Sequence, residues 1–258
     1  MNGPSGNRWF LYDKLLATVP AEATVTNYVA GRHWLMVESS LGGVGLAQHF
    51  PRADGSKPGH QVLGRGLKEV AEGLKSWDYN LASLGMAALN AASNTMMLIP
   101  DSPLQTAAAK TPGDAFEFFL PRIAGRKVAV IGHFPHLEDI LAPHCRLSIF
   151  ERQPQPGDLP DPAAEYLLPE MELVYITGTT FINKTITRLL ELAARAEVCI
   201  VGPSTPMMPL LFKYGLHSLS GLVVTDFTEL ARAITEDCCD EIFDRGGIKV
   251  NMVNESAR

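Results

Sequence analysis

The sequence predicts an α/β chain, in which a small α+β unit precedes a doubly wound parallel sheet. Three observations carry this reading. Strand-like runs come consecutively before residue 50 and are followed by helical ones, the order of an α+β unit. After Lys127, apolar runs alternate strictly with helical or polar segments, the order of parallel strands joined by crossovers. Residues 128–131, Val-Ala-Val-Ile, are continuously apolar and end in Gly132, as a strand buried on both faces reads.

Each element follows from its own pattern. Residues 8–19 place Phe10, Leu11, Leu15, Leu16 and Val19 near helical spacing. Residues 23–30, 34–38 and 44–48 read as strands, with Ser39-Ser40-Leu41-Gly42-Gly43 as the hairpin link between the last two. Residues 51–58 form a polar, turn-rich loop, and residues 67–74 and 80–92 read as helices, the second rich in alanine and leucine. Prolines 100, 103 and 112 bound a linker over residues 100–110. The second-half strands are residues 128–131, 147–150, 173–176, 198–201 and 222–224. The expected division is a first domain over residues 1–100 and a second over residues 101–258, joined near residues 95–112.

Composition narrows the function classes. A chain of 258 residues with 46% hydrophobic and 19% charged residues is ordinary globular material. A net charge of -6 and a pI near 5.6 argue against a nucleic-acid partner, whose phosphates call for a basic face. No apolar run approaches the roughly 18 residues that span a bilayer, so no membrane partner is expected. The opening MNGPSGNRWFLYDKLL lacks the basic-then-apolar order of a secretion signal, which makes the cytoplasm the expected setting. Cys145, Cys199, Cys238 and Cys239 contain no Cys-x-x-Cys pair, so reduced thiols are expected rather than a structural zinc site.

A buried parallel strand delivers polar groups at its carboxyl end, where open α/β sheets build ligand sites. The first strand delivers Gly132-His133-Phe134-Pro135-His136, and the fourth delivers Gly202-Pro203-Ser204-Thr205-Pro206. With Rossmann-like strand order these two strands are neighbours and their loops face one crevice. Thr205 before Pro206 has the form of a helix cap, whose backbone N–H groups hold anions. His133 and His136, with Glu151 at the end of the second strand and Glu138 nearby, offer nitrogen and oxygen donors suited to a borderline metal such as zinc or iron. One histidine capping or packing and the other solvated is the plain alternative. His144-Cys145 is a second candidate pair, with packing the plainer fate of Cys145.

The third strand leads into Thr177-Gly178-Thr179-Thr180-Phe181-Ile182-Asn183-Lys184-Thr185, then a helix with Ile182, Ile186, Leu189 and Ala193 on one face. Lys184 falls near the first turn of that helix, where the macrodipole disfavours a cation unless an anion is bound. A solvated side chain is the competing account. The run falls one residue short of a P-loop, with Asn183 where a glycine belongs, and the first loop lacks Gly-x-Gly-x-x-Gly. Ordinary NAD binding is therefore not expected, whereas Glu151, where a dinucleotide site places its ribose acid, leaves a nucleoside-like ligand open. In the first half, Asp78 or Asn80 is a natural cap, Trp77 covers the domain junction or anchors a core, and Gly42-Gly43-Val44-Gly45 either approaches a ligand or makes a tight turn.

Taken together, Gly132-His133-Phe134-Pro135-His136, the segment from Ser76-Trp77-Asp78 to Asn90, Phe150-Glu151-Arg152, Ile176-Thr177-Gly178-Thr179-Thr180 with Asn183-Lys184-Thr185, and Gly202-Pro203-Ser204-Thr205-Pro206 resemble a bacterial and archaeal family labelled putative heavy-metal chelation. The resemblance covers nearly the whole chain in the same order. It implies an enolase-N-terminal-like domain followed by a Rossmann-like domain, with the site in the cleft between them. It adds Trp77, Asp78, Thr177, Thr179, Asn183 and Pro203 to the expected cleft residues, although Asp78 stands where the family pattern has asparagine.

The leading functional expectation is a protein that binds a metal ion, or a metal-bearing or anionic small molecule, in that cleft. His133, His136 and Glu151 are the expected metal donors, and Lys184, Ser204 and Thr205 the expected holders of an anionic part. The rival is an enzyme acting on a nucleoside-, pterin- or S-adenosyl-type compound with a histidine as acid or base. A non-catalytic scaffold is the third, and a homodimer is an open assembly state. A transition-metal ion is the candidate cofactor; its identity and any turnover are not legible.

Overall fold

The computed structural model describes residues 6–55, 61–95, 114–238 and 241–254. The expected linker and domain junction over residues 95–112 lie, apart from Thr95, outside the described residues. The chain opens with α1 (Phe10–Leu16), shorter at both ends than its periodicity, then β1 (Val25–Ala30), β2 (Trp34–Ser39) and β3 (Val44–Gln48), which form an antiparallel sheet in that order. Next come α2 (Leu67–Ala71), continued by a 3-10 turn, and α3 (Tyr79–Ser93). Alanine at Ala82, Ala87, Ala88 and Ala91 lets α3 lie almost wholly buried against the sheet.

Gly43 and Gly45 of the 42–45 run serve this packing, while Gly42, at φ 81, makes the turn. A Cβ on Gly45 would meet the Ala87 carbonyl and the Ala91 nitrogen at 2.1 Å, and one on Gly43 would meet the Ala91 carbonyl at 2.0 Å. Only residues without a side chain let β3 and α3 approach so closely.

The second sheet contains all five expected strands, as β4 (Lys127–Ile131), β5 (Arg146–Glu151), β7 (Leu173–Thr177), β8 (Glu197–Val201) and β9 (Ser218–Val224). Two edge strands join them: the two-residue β6 (Leu159–Pro160), parallel to β5, and β10 (Gly247–Val253), antiparallel to β9. Among the described residues the helices of this half are α4 (Ala115–Ile123), α5 (Leu137–Leu141), α6 (Ala164–Leu167), α7 (Thr179–Ile182), α8 (Ile186–Leu192) and α9 (Phe227–Thr235). The order across the sheet is β10-β9-β8-β7-β4-β5-β6.

That order corrects the expected Rossmann-like arrangement. The first parallel strand, β4, pairs with the third, β7, and not with the fourth. Numbered by their order in the chain, the five main strands lie 2-1-3-4-5, and the reversal of winding falls between β4 and β7. Loops after these two strands therefore flank the crevice, and the loop after β8 reaches it from one strand further away.

One buried core runs through both sheets' surroundings, from Leu11, Leu15 and Leu35 to Ile176, Phe181 and Leu219. Polar groups tie the halves as well. Tyr12 donates its hydroxyl to the Phe181 carbonyl at 3.0 Å. Asn94, just past α3 and 1% exposed, donates to the carbonyls of Thr205 at 2.8 Å and Leu222 at 3.3 Å. The same side chain accepts from the Met207 N–H at 2.9 Å.

Candidate functional site

A cavity of about 780 Å³ opens at the carboxyl ends of β4, β5, β7 and β8. His33, Trp34, Gln48 and Phe50 of the small-sheet unit wall it on one side, and the strand-end loops wall it on the other. Gly132 starts the first loop at φ 103, where an added Cβ would be strained and would crowd the Thr177 side chain at 3.2 Å. Phe134 packs edge-on against Phe116 at 5.2 Å between ring centres, which seats this loop on α4.

His133 is the central polar group of the wall, with a side chain 16% exposed. Its Nδ1 lies 3.0 and 3.1 Å from the two carboxylate oxygens of Asp158, whose side chain has no exposed surface. With a carboxylate as acceptor, Nδ1 is the nitrogen that donates, and the neutral form of the ring so oriented has its lone pair on Nε2. That Nε2 faces Glu138, 3.9 Å away at the start of α5. His133, Glu138 and Asp158 place one ligand atom each within 4.8 Å of one another, the only such group of three or more found among the described residues. Glu151 lines the cavity but its oxygens accept the N–H groups of His133 at 3.0 Å and Arg152 at 2.7 Å. It ties the ends of β4 and β5 together instead of joining the metal-capable group.

Gly132, His133, Phe134, Pro135, Glu151, Thr177, Thr179, Asn183, Pro203 and Ser204 all line the cavity, as the strand-end argument expects. His136, Lys184, Thr205, Trp77 and Asp78 do not. His136 adopts φ 58 before α5, and its side chain is 83% exposed beside Asp139, so the two histidines do not converge. Thr205 caps no helix; it is buried with an unpartnered hydroxyl, because the next helical turn starts only at Pro209. Asp78 does cap α3, accepting from the Asn80 N–H at 2.9 Å, and pairs with Arg52. Trp77 is neither a core anchor nor a cavity wall; it lies 72% exposed against Trp9.

Lys184 departs furthest from expectation. It takes a left-handed φ of 67 between α7 and α8, and its ammonium donates to the carbonyls of Ser76 and, at 2.6 Å, Ile182. The rings of Trp77 and Tyr79 flank it at 5.8 and 5.5 Å. It is a strap to the small-sheet unit, not an anion holder. Burial pushes its pKa from the ordinary 10.5 down to about 8. Between those values the unfolded chain holds a proton that the folded chain has lost, so this group makes stability rise with pH across that window. Lys184→Met should flatten the rise in melting temperature from pH 8 to 10.5. Identical pH profiles for the two proteins would refute the assignment.

Sequence reading missed Gln48, Asp158, Arg152 and Arg188. Arg152 and Arg188 line the cavity but are held by Asp161 at 3.1 Å and Glu165 at 2.9 Å, so their charges are locally cancelled. Asp158 had one local signal, the Gly157-Asp158 turn, in which it accepts the Gln155 N–H at 2.9 Å. Among the described residues no helix is long and apolar enough to cross a membrane.

Comparison with known proteins yields consistent relatives. Two family models, both described as putative heavy-metal chelation, match residues 12–93 and 114–253. A crystal structure of a protein of unknown function from Desulfitobacterium hafniense DCB-2, of the same family, shares 37% identity at a TM-score of 0.88, covering 96% of this chain and 99% of that one. A family member of unknown function from Pyrococcus horikoshii shares 18% identity at a TM-score of 0.75, again over 96% and 99%, and supports the fold alone. An uncharacterized protein from Methanocaldococcus jannaschii is 32% identical over 171 residues, 64% of this chain and 62% of that relative's length.

Proposed function

Because the chain belongs to the putative heavy-metal chelation family, we propose that it binds a metal ion, carried by a small molecule, in the cavity between the small sheet and the large one. The observation that carries this reading is the His133 imidazole. Its Nδ1 is held by a buried carboxylate while its Nε2 is turned toward a second one. Carboxylate–histidine pairs of this kind fix the tautomer and raise the basicity of the ligating nitrogen. His133 and Glu138 would hold the metal, with Asp158 as the orienting group.

The donor chemistry fits a borderline cation better than a thiophilic one. Imidazole and carboxylate suit zinc, iron, cobalt or nickel, whereas soft metals prefer thiolates. Among the described cysteines none lines the cavity, and burial pushes the Cys199 thiol up to about 12, away from the thiolate that a soft metal needs. A volume near 780 Å³ is far larger than a bare ion requires and lies in the range of organic-ligand sites, which supports a metal-bearing compound as cargo. The separate matches to residues 12–93 and 114–253 also support a two-domain division near residue 100.

Cobalt(II) titration followed by visible absorption tests the reading. One equivalent should bind with d–d bands of nitrogen–oxygen coordination. Asp158→Asn should weaken binding about 10- to 100-fold, the usual effect of removing an outer carboxylate. Absence of any cobalt or zinc binding by the wild-type protein would overturn it.

A further inference from the structure

We infer that the metal's carrier presents an oxyanion, and that neutral hydrogen-bond donors on Gln48, Asn183 and Ser204 hold it. The inference rests on the reading of the cavity as a ligand site but concerns side chains other than the His133 set.

Gln48 is the last residue of β3 and projects from the small-sheet unit into the cavity. Its carbonyl oxygen is already occupied. Thr179 donates its hydroxyl to Gln48 Oε1 at 2.9 Å, and Thr177 in turn donates to Thr179 at 3.1 Å. A chain of hydroxyls running in one direction thus fixes the amide, leaving its NH₂ without a partner among the described residues. Asn183 repeats the arrangement at the other end of α7. Its Oδ1 accepts from the Thr185 N–H at 3.1 Å and the Thr185 hydroxyl at 2.6 Å, and its NH₂ has no partner among the described residues. Ser204, 2% exposed, accepts the Gln48 backbone N–H at 2.8 Å, and its hydroxyl hydrogen has no acceptor among the described residues.

Three cavity-lining side chains therefore have their acceptors satisfied and their donors left over. Neither amide nitrogen is among the buried, unpartnered atoms of the described residues, so each keeps accessible surface on a residue that lines the cavity. Leftover donors of one kind call for a ligand group that accepts without donating, and a carboxylate or phosphate, with several charged oxygens, answers three such donors more strongly than a single neutral carbonyl does. The cations nearby do not supply the attraction: Arg152 and Arg188 are engaged by Asp161 and Glu165, and Lys184 by two carbonyls. Carboxylate and phosphate are chemically equivalent to such donors, so the experiment carries an arm for each.

The test uses malonate and inorganic phosphate as probes, titrated calorimetrically into metal-free protein at low salt. Gln48→Glu and Asn183→Asp are the informative variants. Each keeps the oxygen that accepts the existing internal hydrogen bonds while replacing NH₂ by a second, charged acceptor. Wild type should bind at least one probe, and each variant should bind it at least tenfold more weakly with an unchanged melting temperature. Failure of both probes to bind wild type, or equal affinity in the variants, overturns the inference. Cobalt(II) binding measured on the same proteins separates the two readings: if the oxyanion site fails, cobalt still binds Gln48→Glu, whereas if the metal reading fails, cobalt binds none of them.

Discussion

His133→Asn is expected to lower zinc affinity at least 100-fold while leaving the fold intact. Asparagine rather than alanine is the right replacement. Its amide nitrogen stands near the place of Nδ1 and can still donate to the buried Asp158, whose carboxylate would otherwise lose that partner at a cost of several kcal/mol. What it lacks is Nε2, the nitrogen of the metal-capable group. Two carboxylates then remain, one of them buried and already engaged, and oxygen-only sets favour magnesium or calcium over zinc. Competition against a chromophoric zinc chelator gives the affinity, and urea unfolding gives the stability. A His133→Asn variant that binds zinc as tightly as wild type would remove His133 from the metal site. Glu138→Gln, at a side chain 48% exposed, should produce a smaller loss without structural cost.

Asn94→Ala is expected to destabilise the fold by about 3–5 kcal/mol, because two buried carbonyls and one buried N–H lose their partner together. Thr205, Leu222 and Met207 all belong to the large-sheet half, whereas Asn94 caps the helix of the small-sheet half. The side chain is therefore a three-pronged clasp across the junction. Urea denaturation followed by tryptophan fluorescence measures the effect, with Trp9, Trp34 and Trp77 in the small-sheet half as reporters. A loss below about 1 kcal/mol, the net worth of one ordinary hydrogen bond, would show that these backbone groups find other partners.

Much of the fold was legible before any coordinates. Residues 128–131 read as a strand buried on both faces, since an unbroken apolar run has no polar face to turn outward. The alternation after it required a doubly wound sheet, and the Gly132-His133-Phe134-Pro135 and Gly202-Pro203-Ser204 loops had to emerge at its carboxyl edge. Strand β10 escaped notice because Gly247–Val253 mixes lysine and asparagine with apolar residues, as an edge strand does. The order of strands was out of reach, since the hydrophobic pattern of β7 is satisfied equally beside β4 or at another position in the same buried layer.

The site divides in the same way. Local pattern placed His133 at the end of a central strand, offered Asp78 or Asn80 as the cap of α3, and put Ser204 at the crevice, while the family resemblance added Thr177, Thr179 and Asn183; Asp78 is the cap, and all of the others but Asn80 line the cavity. Only the tertiary structure decided which of the two histidines turns inward, because a left-handed residue at His136 reverses the chain and carries its ring into solvent. Only the return of the chain from β5 to β6 brought Asp158 onto His133, 25 residues away. Only the docking of the small sheet placed Gln48 against Thr179 and Ser204, 131 and 156 residues distant. Such contacts obey no local period. They arise where two independently patterned layers close over each other, and a sequence read residue by residue carries the layers but not their register.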